Sequence, residues 1–272
     1  MKDDNKLNGT DVLGNVYSDD EYYRQFRKAQ TKLVKAVDYH QLGQRYQLSI
    51  IVPYRDNPYQ NRKHQLDRFV PYMTYFLSQL GANYNFHIIV VEQSQDGHKF
   101  NRGQLLNIGF RIAQEQGCDY HIFHDVDLLP DDKLLGYYGF PPYSPLHIAA
   151  VWEKYQYLDL YFGGVCAFTT EHFEQLDGYP NNFWGWGGED EELYHRIVER
   201  KMTILEPMRG RFTELPHIHT KKISDLVNEK RFELIEQRAT KGQPNGLSNL
   251  QIKRLYESDR LNLHASKYLV IL

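Results

Sequence analysis

Three apolar runs of strand length constrain this chain more than any other feature: LSIIVPY (48–54), FHIIVVEQ (86–93) and YHIFHDVD (120–127). They are apolar at nearly every residue, not at every second one. Strands of that kind are buried on both faces, as in a parallel sheet covered by helices. Two helical patterns lie between them. The first spans 61–80, with Pro71 as a potential break; the second is RGQLLNIGFRIAQEQG (102–117), closed by a glycine. Strand, helix, strand, helix, strand over 48–127 predicts right-handed crossovers and an α/β sheet. Ligands of such sheets sit at the carboxyl ends of the strands. The third run leads straight into Asp125 and Asp127, which are therefore expected at that edge.

The flanks are less regular. Residues 1–17 read as a loose tail, and Ser18 with Glu21, at capping-box spacing, opens a helix expected over 20–39. Segments 147–152 and 160–168 read as strands, a helix begins at Glu189, and 204–207 reads as a short strand. Residues 220–246 are charged, with helical and loop signals, and KYLVIL (267–272) closes the chain as a strand. No linker separates independent units. The expected organisation is a tail and helix over 1–45, then one domain over 46–272.

Composition narrows the function classes. Lys and Arg total 32 against 35 Asp and Glu, a formal charge of −3, so no broad basic surface is present and nucleic acid is not an expected partner. Cys118 and Cys166 are the only 2 cysteines, which excludes a disulfide scaffold and a cysteine zinc site and points to a reducing compartment. No basic stretch followed by an apolar one marks the N-terminus, and no window approaches the roughly 18 apolar residues of a membrane span. A soluble, cytoplasmic protein is the expectation. The 21 tyrosines would suit a carbohydrate pocket, where rings stack on sugars, or simply a tyrosine-rich core and surface.

Three motifs carry chemistry. In an extended Asp125-Val-Asp127 the two carboxylates share one side, a pair of hard ligands suited to Mg²⁺ or Mn²⁺ that already holds phosphate oxygens; the alternative is a turn cap beside a solvated carboxylate. His217-Ile-His219 repeats that geometry with imidazoles, which Mn²⁺ accepts beside carboxylate, or is a polar loop after Pro216. FWGWGGEDEE (183–192) combines glycines that admit a ligand, the flat faces of Trp184 and Trp186, and Glu189 and Asp190 at a helix start, where the dipole favours ionised carboxylates. Such a carboxylate either deprotonates a bound hydroxyl or merely stabilises its helix. A phosphate loop with lysine and a GxSxG serine are both absent.

PYRDN (53–57), FNRGQLLNIGF (100–110), HDVDLLP (124–130), YFGGVCAF (161–168) and GYPNNFWGWGGEDEE (178–192) follow one another as in the β-1,4-galactosyltransferase family. The chain resembles that family from about Leu48 to His219. The resemblance implies a GT-A-type nucleotide-sugar fold, a mixed and mostly parallel sheet flanked by helices, and an inverting, Mn²⁺-dependent transferase. By matching position, Pro53, Tyr54, Arg55, Phe100 and Arg102 would hold the uridine and diphosphate, and Asp125 the ribose or the metal site. Asp127, His217 and His219 would ligate Mn²⁺, with Glu214 standing where some relatives have a methionine ligand. Glu189 would bind the donor sugar, Trp186 would stack near the acceptor, and Asp190 would be the base. Tyr161 would favour UDP-galactose over UDP-GalNAc and face the acceptor.

PYRDN lacks the second basic residue of many relatives. Residues 217–246 would contain a mobile loop over the donor. A sugar-binding protein without turnover and a UDP-GalNAc transferase of surface polysaccharide synthesis are the competing readings. A bacterial-type enzyme acting on a glycan or glycolipid from the cytoplasmic side, with peripheral membrane association open, completes the expectation; a fragment of an anchored protein is the runner-up.

Overall fold

The three apolar runs form the centre of a sheet in the computed structural model, which describes residues 8–10, 16–18, 29–36, 38, 45–57, 60–82, 84–154, 161–218, 226–241 and 245–272. In chain order the strands are β1 (Asn8–Thr10), β2 (Val16–Ser18), β3 (Thr31–Val34), β4 (Tyr46–Tyr54), β5 (Tyr84–Gln93), β6 (Tyr120–His124) and β7 (Leu128–Pro130). They continue with β8 (Leu146–His147), β9 (Val165–Thr169), β10 (Ile204–Pro207), β11 (Phe212–Glu214), β12 (Arg254–Asn262) and β13 (Ala265–Ile271). Four helices matter below: α1 (Arg62–Ser78), α2 (Arg102–Glu115), α3 (Glu189–Glu199) and α4 (Arg231–Lys241).

Among the described residues, nine strands form one sheet in the order β12-β13-β5-β4-β6-β9-β8-β10-β3. β9 and β12 pair antiparallel with their neighbours and every other junction is parallel, so the sheet is mixed and mostly parallel, as expected. Alternation along the central strands divides the core in two. Ile50, Val52, Ile88 and Val90 face one layer with Phe69, Met73 and Phe76 of α1. Ile51, Ile89, Val91 and Phe123 face the other with Leu105, Leu106, Ile108 and Phe110 of α2. Burial on both faces is why these strands show no polar alternation.

Several elements differ from expectation. α1 runs unbroken through Pro71, which sits on its exposed side while Phe69, Val70 and Met73 hold the helix to the core. The helix expected over 20–39 is absent from its described part: Thr31–Val34 is a strand parallel to β10, and 19–28 lie outside the described residues. The tail contains the antiparallel pair β1–β2. Segment 147–152 is one residue of strand and then a 3₁₀ turn over Ile148–Val151, and strand 160–168 begins only at Val165, after Gly164 at φ 71. β12 is an edge strand exposed along most of its length, so no hydrophobic pattern announces it.

Candidate active site

The carboxyl edge of β4, β5 and β6 collects the expected site residues. Pro53 and Tyr54 end β4. Burial, followed by the nearby carboxylates of Asp56 and Glu92, pushes the Tyr54 hydroxyl well above its usual range. Arg55 donates to the His98 carbonyl at 2.9 Å and lies 5.6 Å from the Phe100 ring centroid, joining the β4 edge to the β5–α2 connection. There Asn101 caps α2: its side chain accepts from Gln104 N at 3.0 Å and donates to the Asn181 carbonyl at 2.7 Å. One residue thus fixes both the start of α2 and the 179–183 loop.

Arg102, the first residue of α2, is the electrostatic centre. It donates to Asp125 Oδ1 from Nε (3.0 Å) and Nη2 (2.9 Å), and to Asp190 Oδ1 from Nη1 (2.7 Å), with Glu189 3.6 Å away. The guanidinium expected at a diphosphate therefore faces three carboxylates here. Burial raises the pKa of all three and Arg102 opposes it: Glu189 is pushed up to about 7, and Asp125 and Asp190 also rise. Asp190 and Glu189 open α3, whose N-cap Gly188 at φ 102 donates its N–H to the Glu191 carboxylate at 3.0 Å. Asp190 also faces Gly163, where an added Cβ would meet the Asp190 carboxylate and the Tyr161 hydroxyl. Tyr161 and Asp190 thus meet over one glycine. Trp186 sits half-buried two residues before the Gly188 cap, its N–H bonded to the Leu226 carbonyl at 2.7 Å and its carbonyl accepting from Asn228 N at 3.0 Å.

Asp125 and Asp127 are not on an extended strand. β6 ends at His124, and a turn follows in which Leu128 N bonds the Asp125 carbonyl at 3.3 Å. The turn points the two carboxylates at different cations, Asp125 at Arg102 and Asp127 at Arg62. The two histidines are brought near by pairing: β11 lies antiparallel to β7, and Leu215 N donates to the Asp127 carbonyl at 2.7 Å. His217 Nε2 then lies 3.4 Å from Asp127 Oδ2. His217 Nδ1 is 3.1 Å from the Leu215 carbonyl, which can only accept, so Nδ1 carries the proton. With Nδ1 engaged by that carbonyl, Nε2 is the ring atom turned toward the Asp127 carboxylate oxygen. Two acceptors at that spacing fit a shared cation, and imidazole with carboxylate is a donor set that suits Mn²⁺. His219 lies outside the described residues, and among those described no three His, Cys, Asp or Glu side chains form a metal-holding group. Glu214 is turned instead to Lys154, with which it pairs, and lies 4.0 Å from Nδ1.

Arg62 escapes the sequence reading. It opens α1 as Arg102 opens α2, and it bonds Asp127 Oδ2 at 2.7 Å. Together with His217 it outweighs burial and holds the Asp127 carboxyl below its usual range. A cation in the first turn of a helix opposes the dipole, so an arginine at that position after a buried strand is itself a signal of an anionic neighbour. Gln60 and Gln65 extend the link by donating to the carbonyls of Ile218 (3.2 Å) and Leu215 (3.3 Å).

Comparison with known proteins shows what the chain is similar to. Residues 16–139 match the family model described as the N-terminal region of glycosyl transferase group 7, and 145–218 match the N-terminal domain of galactosyltransferase. The chain is 37% identical to Drosophila melanogaster β-1,4-galactosyltransferase 7 over 217 residues, 77% of this chain and 64% of that protein. It is 33% identical to rat β-1,4-galactosyltransferase 6 over 231 residues, 80% of this chain and 57% of that protein. The chain therefore spans less than two thirds of either relative. An Asp-to-Asn variant of the Drosophila enzyme, solved with manganese, UDP-Gal and xylobiose, superimposes with a TM-score of 0.68 at 33% identity, covering 84% of this chain and 94% of that one. Its catalytic domain with xylobiose gives 0.66 at 34% identity over the same shares. These relatives are animal proteins and lend no support to the bacterial-type expectation. With its sheet order, its strand-end carboxylates and these matches in agreement, the chain belongs to the β-1,4-galactosyltransferase family.

Proposed function

We propose that this chain is a Mn²⁺-dependent inverting transferase that moves galactose from UDP-galactose to a sugar hydroxyl in β-1,4 linkage. The observation that carries the reading is the convergence of two charge clusters on one sheet edge. Arg102 gathers Asp125, Glu189 and Asp190 in one, and Asp127 faces His217 in the other. Asp127 and His217 would hold the metal, which when bound offsets the charge of the departing diphosphate. Asp190, held in place by Arg102 and with its carboxyl raised by burial, would in its ionised form take the proton of the acceptor hydroxyl as the new C1–O bond forms. The bond from C1 to the diphosphate oxygen breaks with both electrons leaving on UDP. Glu189, beside Asp190, would hold the donor sugar, and Tyr161, over Gly163 with Asp190, would face donor and acceptor.

A terminal xylose is the acceptor proposed, because the solved Drosophila relative is complexed with xylobiose in both structures. The test is transfer from UDP-galactose to xylobiose and, in parallel, to N-acetylglucosamine, with Mn²⁺ or with chelator, and again with UDP-GalNAc. Mn²⁺-dependent transfer from UDP-galactose to xylobiose supports the whole reading. Transfer only from UDP-GalNAc would overturn the donor. Binding of sugars with no release of UDP from either donor would favour a sugar-binding protein.

A further inference from the structure

We infer that His147 is a positioning residue for the transfer reaction, fixing the backbone on which Tyr161 and Asp190 meet. The inference rests on the proposed function for its consequence, but its geometry stands alone. His147 ends β8, is 4% exposed, and its Nε2 lies 3.0 Å from the Gly163 carbonyl. A carbonyl only accepts, so Nε2 carries the proton and donates. The ring packs on both neighbours of that bond, 5.6 Å from the Tyr161 ring and 5.1 Å from the Phe162 ring. Burial lowers the pKa of the imidazole to about 4, and Nε2 donates in either protonation state.

The opposite face of Gly163 is what the bond controls. A Cβ there would strike the Asp190 carboxylate and come within 2.6 Å of the Tyr161 hydroxyl, so both side chains rest against this one α-carbon. The next carbonyl, of Gly164, accepts from Asp125 N at 2.9 Å. The 161–164 segment is thus pinned at two successive carbonyls, one by β8 and one by the turn that carries Asp125. Two glycines in a row, the second at φ 71, have little stiffness of their own. A local bond from Val165 N to the Gly163 carbonyl at 2.9 Å closes a short turn, and the His147 donor ties that turn to β8 from outside.

Three variants separate positioning from packing. His147→Gln keeps a donor at the reach of Nε2, His147→Asn places its amide too short, and His147→Phe keeps the ring without a donor. The expected result is a fall in kcat of roughly tenfold or more for Phe and Asn, as small misplacements of reacting groups produce. Affinity for UDP with Mn²⁺ should stay within about twofold of wild type, and Gln should recover most of the lost kcat. Should Phe fail to fold, the contrast between Gln and Asn decides alone. Equal losses in Gln and Asn, or UDP affinity falling in step with kcat, would overturn the inference. If the wild type moves no galactose from UDP-galactose, the proposed function fails instead, and crystal structures of the Gln and Asn variants decide: displacement of the Tyr161 hydroxyl from Gly163 in Asn but not in Gln upholds the positioning role, and an unmoved hydroxyl in both refutes it.

Discussion

At the scale of single residues, the site is a balance between buried carboxylates and too few cations. Glu189 is 6% exposed, and its Oε2 is buried with no hydrogen-bond partner in the structure. Its carboxyl, raised from 4.5 to about 7, binds a proton in the folded state at pH values where the unfolded chain has released it. Stability therefore falls as pH rises through about 4.5–7, by an amount on the order of 3 kcal/mol for this group. Glu189→Gln, which mimics the protonated form, should flatten that slope. Urea midpoints of the chelated protein at pH 5 and pH 8 measure it, and parallel slopes in variant and wild type would remove Glu189 as the titrating group. Arg62 gives a prediction with two opposite signs. Its guanidinium occupies Asp127 Oδ2 at 2.7 Å, so Arg62→Met frees an oxygen and removes a positive charge. Mn²⁺ alone should bind more tightly to the variant. UDP in the presence of Mn²⁺ should bind more weakly, by roughly tenfold, if the guanidinium beside Asp127 also pairs with the diphosphate. Titration calorimetry reads both, and tighter binding of both ligands would exclude Arg62 from the nucleotide site.

At the scale of elements, α2 is where packing and function meet, and two of its glycines separate them. Gly109 lies on Ile51 of β4, and its Cβ would come within 3.1 Å of Val91 in β5. Gly109→Ala should therefore cost about 1–3 kcal/mol of stability by overpacking the core. Gly103 instead lies at the site end, where a Cβ would sit 2.5 Å from the Pro180 carbonyl oxygen and 3.3 Å from Tyr179 Cβ. Gly103→Ala must part α2 from the loop leading to Asp190, so it should lower kcat by roughly tenfold or more with a smaller loss of stability than Gly109→Ala. Denaturation midpoints and initial rates on the two proteins distinguish the cases. The same helix explains what was legible in the sequence. β4, β5, β6 and α2 are read correctly because burial on both faces of the sheet imprints an apolar pattern on every residue. β3 and β12 leave no such imprint, since Thr31, Lys32 and Leu33 are exposed and β12 is exposed along most of its length. Their strand form comes from hydrogen bonds to β10 and β13, which no local pattern encodes. The Asp125 and Asp127 pair was located by sequence but not oriented. Period-two alternation points both carboxylates one way, whereas the turn after His124 sends one to Arg102 and the other to Arg62.

At the scale of the molecule, the candidate site joins segments far apart in sequence. Asp127 comes from the turn after β6, Arg62 from the start of α1, and His217 from the chain after β11, which reaches Asp127 only because β11 pairs with β7. The charge cluster on Arg102 spans α2, that same turn and α3. A ligand that binds across these segments ties the sheet, both crossover helices and the β7–β11 ribbon together, and it binds only the folded chain. Its effect on stability follows mass action: a ligand at about a hundred times its Kd contributes about 2.7 kcal/mol. In a protein of this length each kcal/mol is worth about 2–4 °C. UDP and Mn²⁺ together should therefore raise Tm by about 5–10 °C over the chelated protein. Either alone should do much less, since the nucleotide without the metal lacks the cation that Asp127 and His217 would hold and the metal without the nucleotide must displace Arg62 from Asp127. Asp127→Asn should abolish the joint shift, while Asp190→Asn, which leaves Asp127, His217 and Arg62 in place, should retain it and lose turnover. Equal shifts from UDP with and without Mn²⁺ would show that nucleotide binding does not pass through the Asp127–His217 pair.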